Sequence, residues 1–283
     1  MSILGLLPHK GGRIAAGSIK FDGLELVGTR GGWGQIRGDR IGMIFQQPSL
    51  TLNPAFTVGE QIAETVRRHR DVSRRQAWSQ AIAMLERVGI PNPANRARDY
   101  PHMFSGGMCQ RVMIAQALVC GPQLLIADEP TTALDVTVQA NILELLRELQ
   151  AERDLAVLLI THDLGVIAEM ANRVVVMYAG QVVESGFASE LLVQPHHPYT
   201  RALLGALPTA EKHRFMSVPG TVPDPGTLPR GCRFAPRCSA AVAGRCDTGS
   251  PVLEVVEAGW ETRCIRAKEL YASQSPVAGA VPQ

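Results

Sequence analysis

The stretch LLIADEPTTALD, residues 124–135, sets an apolar run, Leu124 to Ala127, directly against two acids, Asp128 and Glu129. A short apolar run ended by turn residues predicts a buried strand whose end presents carboxylates. Carboxylates so placed suit a metal ion and an activated water, the equipment for attack on a phosphate. Taken alone, the acid pair is equally compatible with a solvated exit from strand to loop. The flanking sequence has to decide.

Working outward, helix and strand signals alternate. SGGMCQRVMIAQALVCGP (105–122) begins with Ser105, a good N-cap, and stops at Gly121-Pro122. TVQANILELLRELQAERD (137–154) lines up Val138, Ile142, Leu145, Leu146 and Leu149 on one helical face. LAVLLIT is another continuous apolar strand, ending at His162-Asp163. Upstream, RRQAWSQAIAMLERVGI (74–90) has helical spacing and ends at Gly89 and Pro91. Downstream, DLGVIAEMANR predicts a short helix, and RVVVMYAGQVVESG predicts two strands turning at Ala179-Gly180. This alternation predicts an α/β domain around a buried, largely parallel sheet, with functional groups at the carboxyl ends of its strands. Asp128, Glu129 and His162 all fall there.

After residue 194 the texture changes. Prolines become frequent and four of the six cysteines cluster, so 195–270 reads as a small, irregular appendage to a domain spanning 1–194. Residues 271–283 read as a disordered tail. The four late cysteines, Cys232, Cys238, Cys246 and Cys264, are spaced C-x5-C-x7-C-x17-C. Zinc sites favour a tighter first pair, whereas iron–sulfur spacings vary more, so metal ligation and plain thiols both stay open. Cys109 and Cys120 fall on or beside the helix begun at Ser105 and read as packing residues.

Composition excludes several classes. The 283 residues are 46% hydrophobic, enough for a substantial core, and mean hydropathy is +0.04. No apolar run approaches the roughly 18 residues that span a bilayer. Neither a basic n-region nor a cleavage site marks the start, so the cytosol is the expected compartment. A net charge of +2 gives no pull toward nucleic acid, and RRHRDVSRR (67–75) reads as a solvated helix end.

The order of motifs carries more than any one of them. FSGGMCQR (104–111) places Ser105, Gly106 and Gly107 at a helix start, where free N–H groups favour an anion. The strand ending in Asp128-Glu129 follows, then TALD (132–135), then LLITHD with His162; FQQP (45–48) lies ahead of them all. In this order the sequence resembles the ATP-binding subunits of ABC transporters: FSGGMCQR their signature motif, LLIADE their Walker B, TALD their D-loop, His162 their switch histidine and Gln46 their Q-loop glutamine. Phe104 and Cys109 depart from the commoner residues of the signature. MIFQQPSLTLNPAFTVGEQIAE (43–64), the GGM form of the signature and HHPYTRALLGALP (196–208) narrow the resemblance to oligopeptide and dipeptide importers, a branch that includes nickel importers.

The resemblance implies a P-loop-NTPase-like ABC ATPase domain with a helical subdomain and a small Cys-containing C-terminal appendage. It implies ATP and Mg²⁺ as cofactors, with the Mg²⁺ held by Asp128 and Gln46. Glu129 would be the general base and His162 the contact to the γ-phosphate. Ser105, Gly106 and Gly107 would act in trans on nucleotide held by a facing subunit, and Asp135 would couple the two sites. Implied partners are a second ABC ATPase subunit, identical or not, two membrane permeases and an external solute-binding protein, with no nucleic acid. The implied location is the cytoplasmic face of the bacterial inner membrane, as a peripheral subunit. Some members carry a [4Fe–4S] cluster on cysteines like the late four.

One element of the pattern is missing. A phosphate loop needs G-x-x-x-x-G-K-[ST], whose N–H groups wrap the phosphates while the Lys neutralises them. The chain has four lysines, at 10, 20, 212 and 268, and none follows a Gly. SILGLLP resembles the helix that continues just past such a loop, which implies that the loop and the strands before it belong ahead of Met1. A misplaced start or a truncated gene would explain this, and so would a degenerate, non-catalytic partner that lends its signature motif to an intact subunit. A non-transport ABC ATPase is the further alternative. It would be expected to show long coiled coils, a tandem second ATPase domain or a basic face.

Overall fold

The computed structural model describes residues 1–7, 12–28, 33–132, 134–153, 155–206 and 218–272. Its contacts divide the chain into two compact units, Met1–His162 and Asp163–Gln283. That boundary follows packing, whereas the expected boundary after residue 194 follows sequence texture.

The first unit opens with a single 3₁₀ turn, Ser2–Leu4, closed by Gly5 at φ 58° rather than running on as a helix. A short hairpin, β1 (Lys20–Phe21) and β2 (Leu24–Glu25), and the one-turn helix α1 (Trp33–Ile36) follow. Leu4, Leu26 and Ile36 pack with Ile41 and Ile126 in one apolar cluster, which ties this segment to the sheet.

β3 (Ile41–Ile44) leads into the helical insert: α2 (Pro48–Thr51), α3 (Val58–His69), α4 (Arg74–Arg87), α5 (Pro93–Arg96) and α6 (Gly106–Leu118). Local chemistry sets the helix starts. Thr57 caps α3 by accepting from the Glu60 N–H, and Ser73 and Gln76 close a reciprocal capping box on α4. Ile62, Ala63 and Val66 bury one face of α3, while α6 is buried almost all round, with Val112, Ile114, Ala115 and Leu118 fully enclosed. A helix that is apolar on most sides belongs at the centre of its subdomain.

β4 (Leu124–Asp128) emerges from α6, and α7 (Val136–Arg153) returns the chain to β5 (Ala156–Ile160). The three strands are parallel in the order β3-β4-β5, so β4 sits at the middle. Parallel neighbours need crossovers, which α7 and the helical insert provide. Ile142, Leu143, Leu146 and Leu149 bury the inner face of α7. The expectation of a fully buried sheet fails at β5. Leu158 is 40% and Ile160 45% exposed, against 0% for Leu125 and Ala127 on β4. Alternate side chains of β5 lie on an uncovered face, and among the described residues nothing pairs with its outer edge.

The second unit begins with α8 (Leu164–Met170), capped by Asp163 through the Gly165 N–H. Then come β6 (Arg173–Tyr178) and β7 (Gln181–Phe187), joined at Ala179 and Gly180, both at positive φ as a tight hairpin turn requires. α9 (Ala188–Leu191), α10 (Pro198–Gly205), β8 (Glu254–Glu257), β9 (Trp260–Thr262) and α11 (Ala267–Ala272) complete the unit. The sheet is antiparallel in the order β6-β7-β9-β8, so the parallel expectation applies to the first unit only. The late segment is less irregular than its prolines suggest, because β9 pairs with β7 and Trp260 enters the core beside Val174, Leu191 and Leu204. Of the expected tail, 273–283 lies outside the described residues.

Candidate functional site

The carboxyl end of β4 gathers the residues singled out from the sequence. Glu129 leaves the strand at φ 47°, a left-handed conformation that side chains with a Cβ resist. Its N–H donates to the Ile160 carbonyl at 2.8 Å, which pins this bend to the end of β5. Its two carboxylate oxygens take three side-chain donors. Gln46 Nε2 and Thr132 Oγ1 donate to Oε2 at 2.6 and 2.9 Å, and His162 Nδ1 lies 3.0 Å from Oε1. These donors, His162 foremost, then Thr132 and Gln46, hold the Glu129 carboxyl below the usual carboxylate range. Glu129 is therefore an ionised acceptor at neutral pH, fixed in aim by the ends of β3, β4 and β5. Thr132 was not picked out from the sequence; its place three residues beyond Glu129 in a turn was the only local signal.

Asp128, half-buried at the last position of β4, lies in register with Ile160. Gln46 turns its amide N–H toward Glu129, which leaves its amide oxygen for a cation. Among the described residues no three His, Cys, Asp or Glu side chains converge to hold a metal ion by themselves. Mg²⁺ does not ask for that, since it is commonly bound by one or two carboxylates, waters and substrate phosphates. Asp128 and Gln46 fit such a part. For a nucleotide the fit is one-sided. Glu129 and His162 suit the reacting end of a triphosphate, but the chain offers no Lys-bearing loop to hold its phosphates.

The signature segment is exposed at Ser105 and Gly106. Ser105 caps α6, its Oγ accepting from the Met108 N–H at 3.4 Å. A Cβ on Gly107 would meet Val138 Cγ1 at 2.7 Å, so glycine permits the start of α6 to lie against α7. Asp135 caps α7 through the Val138 N–H at 2.9 Å, while Ala133 of the same motif lies outside the described residues. Cys109 is buried on α6 and Cys120 is buried just past its end. Burial raises both thiols, in keeping with packing roles.

The second unit holds one feature that the sequence did not mark and one that it did. Glu184 on β7 is 0% exposed, yet its carboxylate accepts from the backbone N–H groups of His196 and His197 at 2.6 and 3.1 Å and from Trp260 Nε1 at 3.0 Å. It thus anchors the HHPYT segment to the sheet. Burial pushes its pKa up in spite of these donors. His196 stacks on Tyr271, ring centroids 4.0 Å apart, and meets Trp260 edge-on. By alternation alone Glu184 reads as a surface residue, so no sequence signal marked it.

The second feature is a pocket lined by Cys232, Cys238, Cys246 and Cys264 together with His197 and Phe234. Backbone N–H groups are directed at the sulfurs: Phe234 and Ala235 at Cys232, Ala240 at Cys238, Val242 at Cys246 and Arg266 at Cys264. Burial outweighs these donors and lifts Cys264 to about 11, with the other three thiols adding to the rise. The half-buried thiols of Cys232, Cys238 and Cys264, all raised by burial, become thiolates most readily beside a cation. Four cysteines around one cavity are the donor type an iron–sulfur cluster takes, while among the described residues no three His, Cys, Asp or Glu converge on a single metal ion. Gly231 enables the arrangement. A Cβ there would lie 2.2 Å from the Cys246 carbonyl oxygen, so only glycine lets the two cysteine-bearing segments approach this closely.

Comparison with known proteins agrees with this geometry. Residues 1–132 match the family described as ABC transporter, and residues 183–246 match the C-terminal region of oligopeptide/dipeptide transporters. The oligopeptide transport ATP-binding protein AppD of Bacillus subtilis is 47% identical over 278 residues, covering 97% of this chain and 84% of AppD. The dipeptide transport ATP-binding protein DppD of Escherichia coli is 47% identical over 267 residues, covering 93% and 81%. Among solved structures, the ATP-binding cassette MJ0796 in a dimeric post-hydrolysis state bound to ADP and phosphate superposes with a TM-score of 0.56. It is 29% identical and covers 62% of this chain and 74% of that one.

Proposed function

Because the chain belongs to the family of ATP-binding subunits of ABC-type oligopeptide and dipeptide importers, we propose that it couples nucleotide hydrolysis to peptide uptake as one half of an ATPase pair. The observation that carries this reading is the three-donor grip on Glu129 at the end of β4. Held ionised, Glu129 takes a proton from water at its carboxylate, while His162 keeps that carboxylate aimed and faces the transferred phosphate. Asp128 and Gln46 would hold Mg²⁺, which supplies charge neutralisation on the phosphates when bound. Ser105 and the glycines beside it would donate to a phosphate presented by the facing subunit, and Asp135 would link the two sites.

The 283 residues hold no phosphate loop, so this chain by itself does not grip a nucleotide. Losing three charge-assisted hydrogen bonds at about 1.5 kcal/mol each costs about 4.5 kcal/mol, more than a thousandfold in affinity. The exposed Ser105-Gly106 pair favours a second reading beside the first, that of a partner lending its signature to an intact subunit. The proposed setting is the cytoplasmic face of the bacterial inner membrane, on two permease subunits served by an external solute-binding protein. No described helix is long and apolar enough to cross a membrane. The four cysteines of the second unit would hold a [4Fe–4S] cluster with a structural or redox-sensing part.

The test is reconstitution of this chain with an intact family member in a permease-containing complex. Removing one donor to a transition-state oxygen typically costs about a hundredfold or more. Ser105→Ala in this chain is therefore expected to lower ATP turnover by roughly that factor. Turnover indifferent to Ser105→Ala would contradict the reading.

A further inference from the structure

His197 lines the same pocket as the four cysteines and is 1% exposed. Its Nδ1 accepts a hydrogen bond from the Tyr199 N–H at 3.1 Å, at the start of α10. A neutral imidazole with Nδ1 engaged as acceptor carries its proton on Nε2. That Nε2 is buried and has no hydrogen-bond partner, and a buried donor left without an acceptor is costly. Phe234, whose ring lies 6.1 Å from that of His197, covers another part of the pocket wall. Backbone N–H groups already serve the four cysteine sulfurs, which leaves the imidazole as the side-chain donor with an unmet need.

We propose that His197 is a positioning residue for the centre held by Cys232, Cys238, Cys246 and Cys264: its Nε2–H donates a hydrogen bond to a sulfur of that centre. This rests on the reading that the four cysteines hold an iron–sulfur cluster. A donor to a cluster sulfur stabilises the more negative, reduced form, so His197 raises the reduction potential. Its backbone N–H is meanwhile bound to Glu184, so the carboxylate that anchors the HHPYT segment also fixes where the imidazole stands.

The experiment uses the full chain, reconstituted anaerobically with ferrous iron and sulfide and titrated with dithionite under electron paramagnetic resonance. Parent and His197→Phe are expected to bind the same amount of iron. At a fixed potential the reduced-to-oxidised ratio of His197→Phe should fall about tenfold, a shift of ~59 mV for a one-electron couple. His197→Gln, which keeps an N–H, should recover most of that shift. A loaded His197→Phe with an unchanged midpoint overturns the inference and leaves the cluster reading standing. A parent chain that takes up no iron and sulfide overturns the cluster reading and the inference with it. Should His197→Phe fail to fold, pulsed measurements on the parent labelled with ¹⁵N-histidine decide. A ¹⁵N coupling to the reduced cluster is expected, and its absence overturns the proposal.

Discussion

Glu129 collects three side-chain donors and Glu184 at least as many, yet they are pushed in opposite directions. Glu129 stands at an open strand end and takes donors from Gln46, Thr132 and His162, which hold its pKa down. Glu184 is sealed in a core beneath Trp260 and the HHPYT segment, and its loss of water outweighs its donors, so its pKa rises. Donors do not set the sign here; exposure does. One carboxylate is thereby kept ionised at an open strand end, while the other serves as an internal anchor. Chemistry asks for an acid that solvent and substrate can reach, whereas an anchor asks for one they cannot.

The largest effect is expected from breaking the anchor. Glu184→Ala strands two backbone N–H groups and an indole N–H in the interior. At about 1–3 kcal/mol for each unsatisfied group, the cost is several kcal/mol, and thermal melts should show the second unit largely unfolded. Glu184→Gln keeps an acceptor and should lose much less. Next comes the close approach beside the cysteines. Gly231→Ala forces its Cβ toward the Cys246 carbonyl and is expected to cost about 1–3 kcal/mol, as overpacking does, read by denaturant titration.

A smaller but sharper effect lies in the pH dependence, where the two acids should differ in sign. Glu184, with its folded pKa raised, contributes stability that is full below the ordinary carboxylate range and is lost as pH rises through the folded value. Glu129, with its folded pKa lowered, contributes stability present above that range and lost as pH falls through its folded value. The stability difference between parent and Glu184→Gln should therefore move against the parent as pH rises, and that for Glu129→Gln should move in its favour. Curves of the same slope would break the comparison. The smallest effect should come from Thr132→Val, which removes one donor. The Glu129 carboxyl should then titrate closer to the ordinary range, as NMR of that side chain would show.

The first unit was largely legible in the sequence because its signals are local. Ser105 marks a helix start within one turn, and the run from Leu124 to Ala127 marks a strand by composition alone. The order of motifs then brought Gln46, Glu129 and His162 together without any knowledge of contacts. The second unit was less legible because its pairings are distant. β9 joins β7 across some seventy residues of chain, and no periodicity encodes that partner. A carboxylate in a strand looks the same whether its face is wet or covered by Trp260, so Glu184 went unseen. The exposed face of β5 escaped for the opposite reason, since an apolar strand reads as buried whether or not a layer covers it.

We propose that the end of β4 is half of an ATPase site, chemically equipped but without a grip on phosphate. Equilibrium titration of the purified chain with Mg–ATP tests this most directly, alone and mixed with an intact family member. No saturable binding to the chain alone is expected at concentrations that fill the intact subunit, and nucleotide-dependent association is expected once the two are mixed. Tight, stoichiometric binding of ATP by the isolated monomer would contradict it.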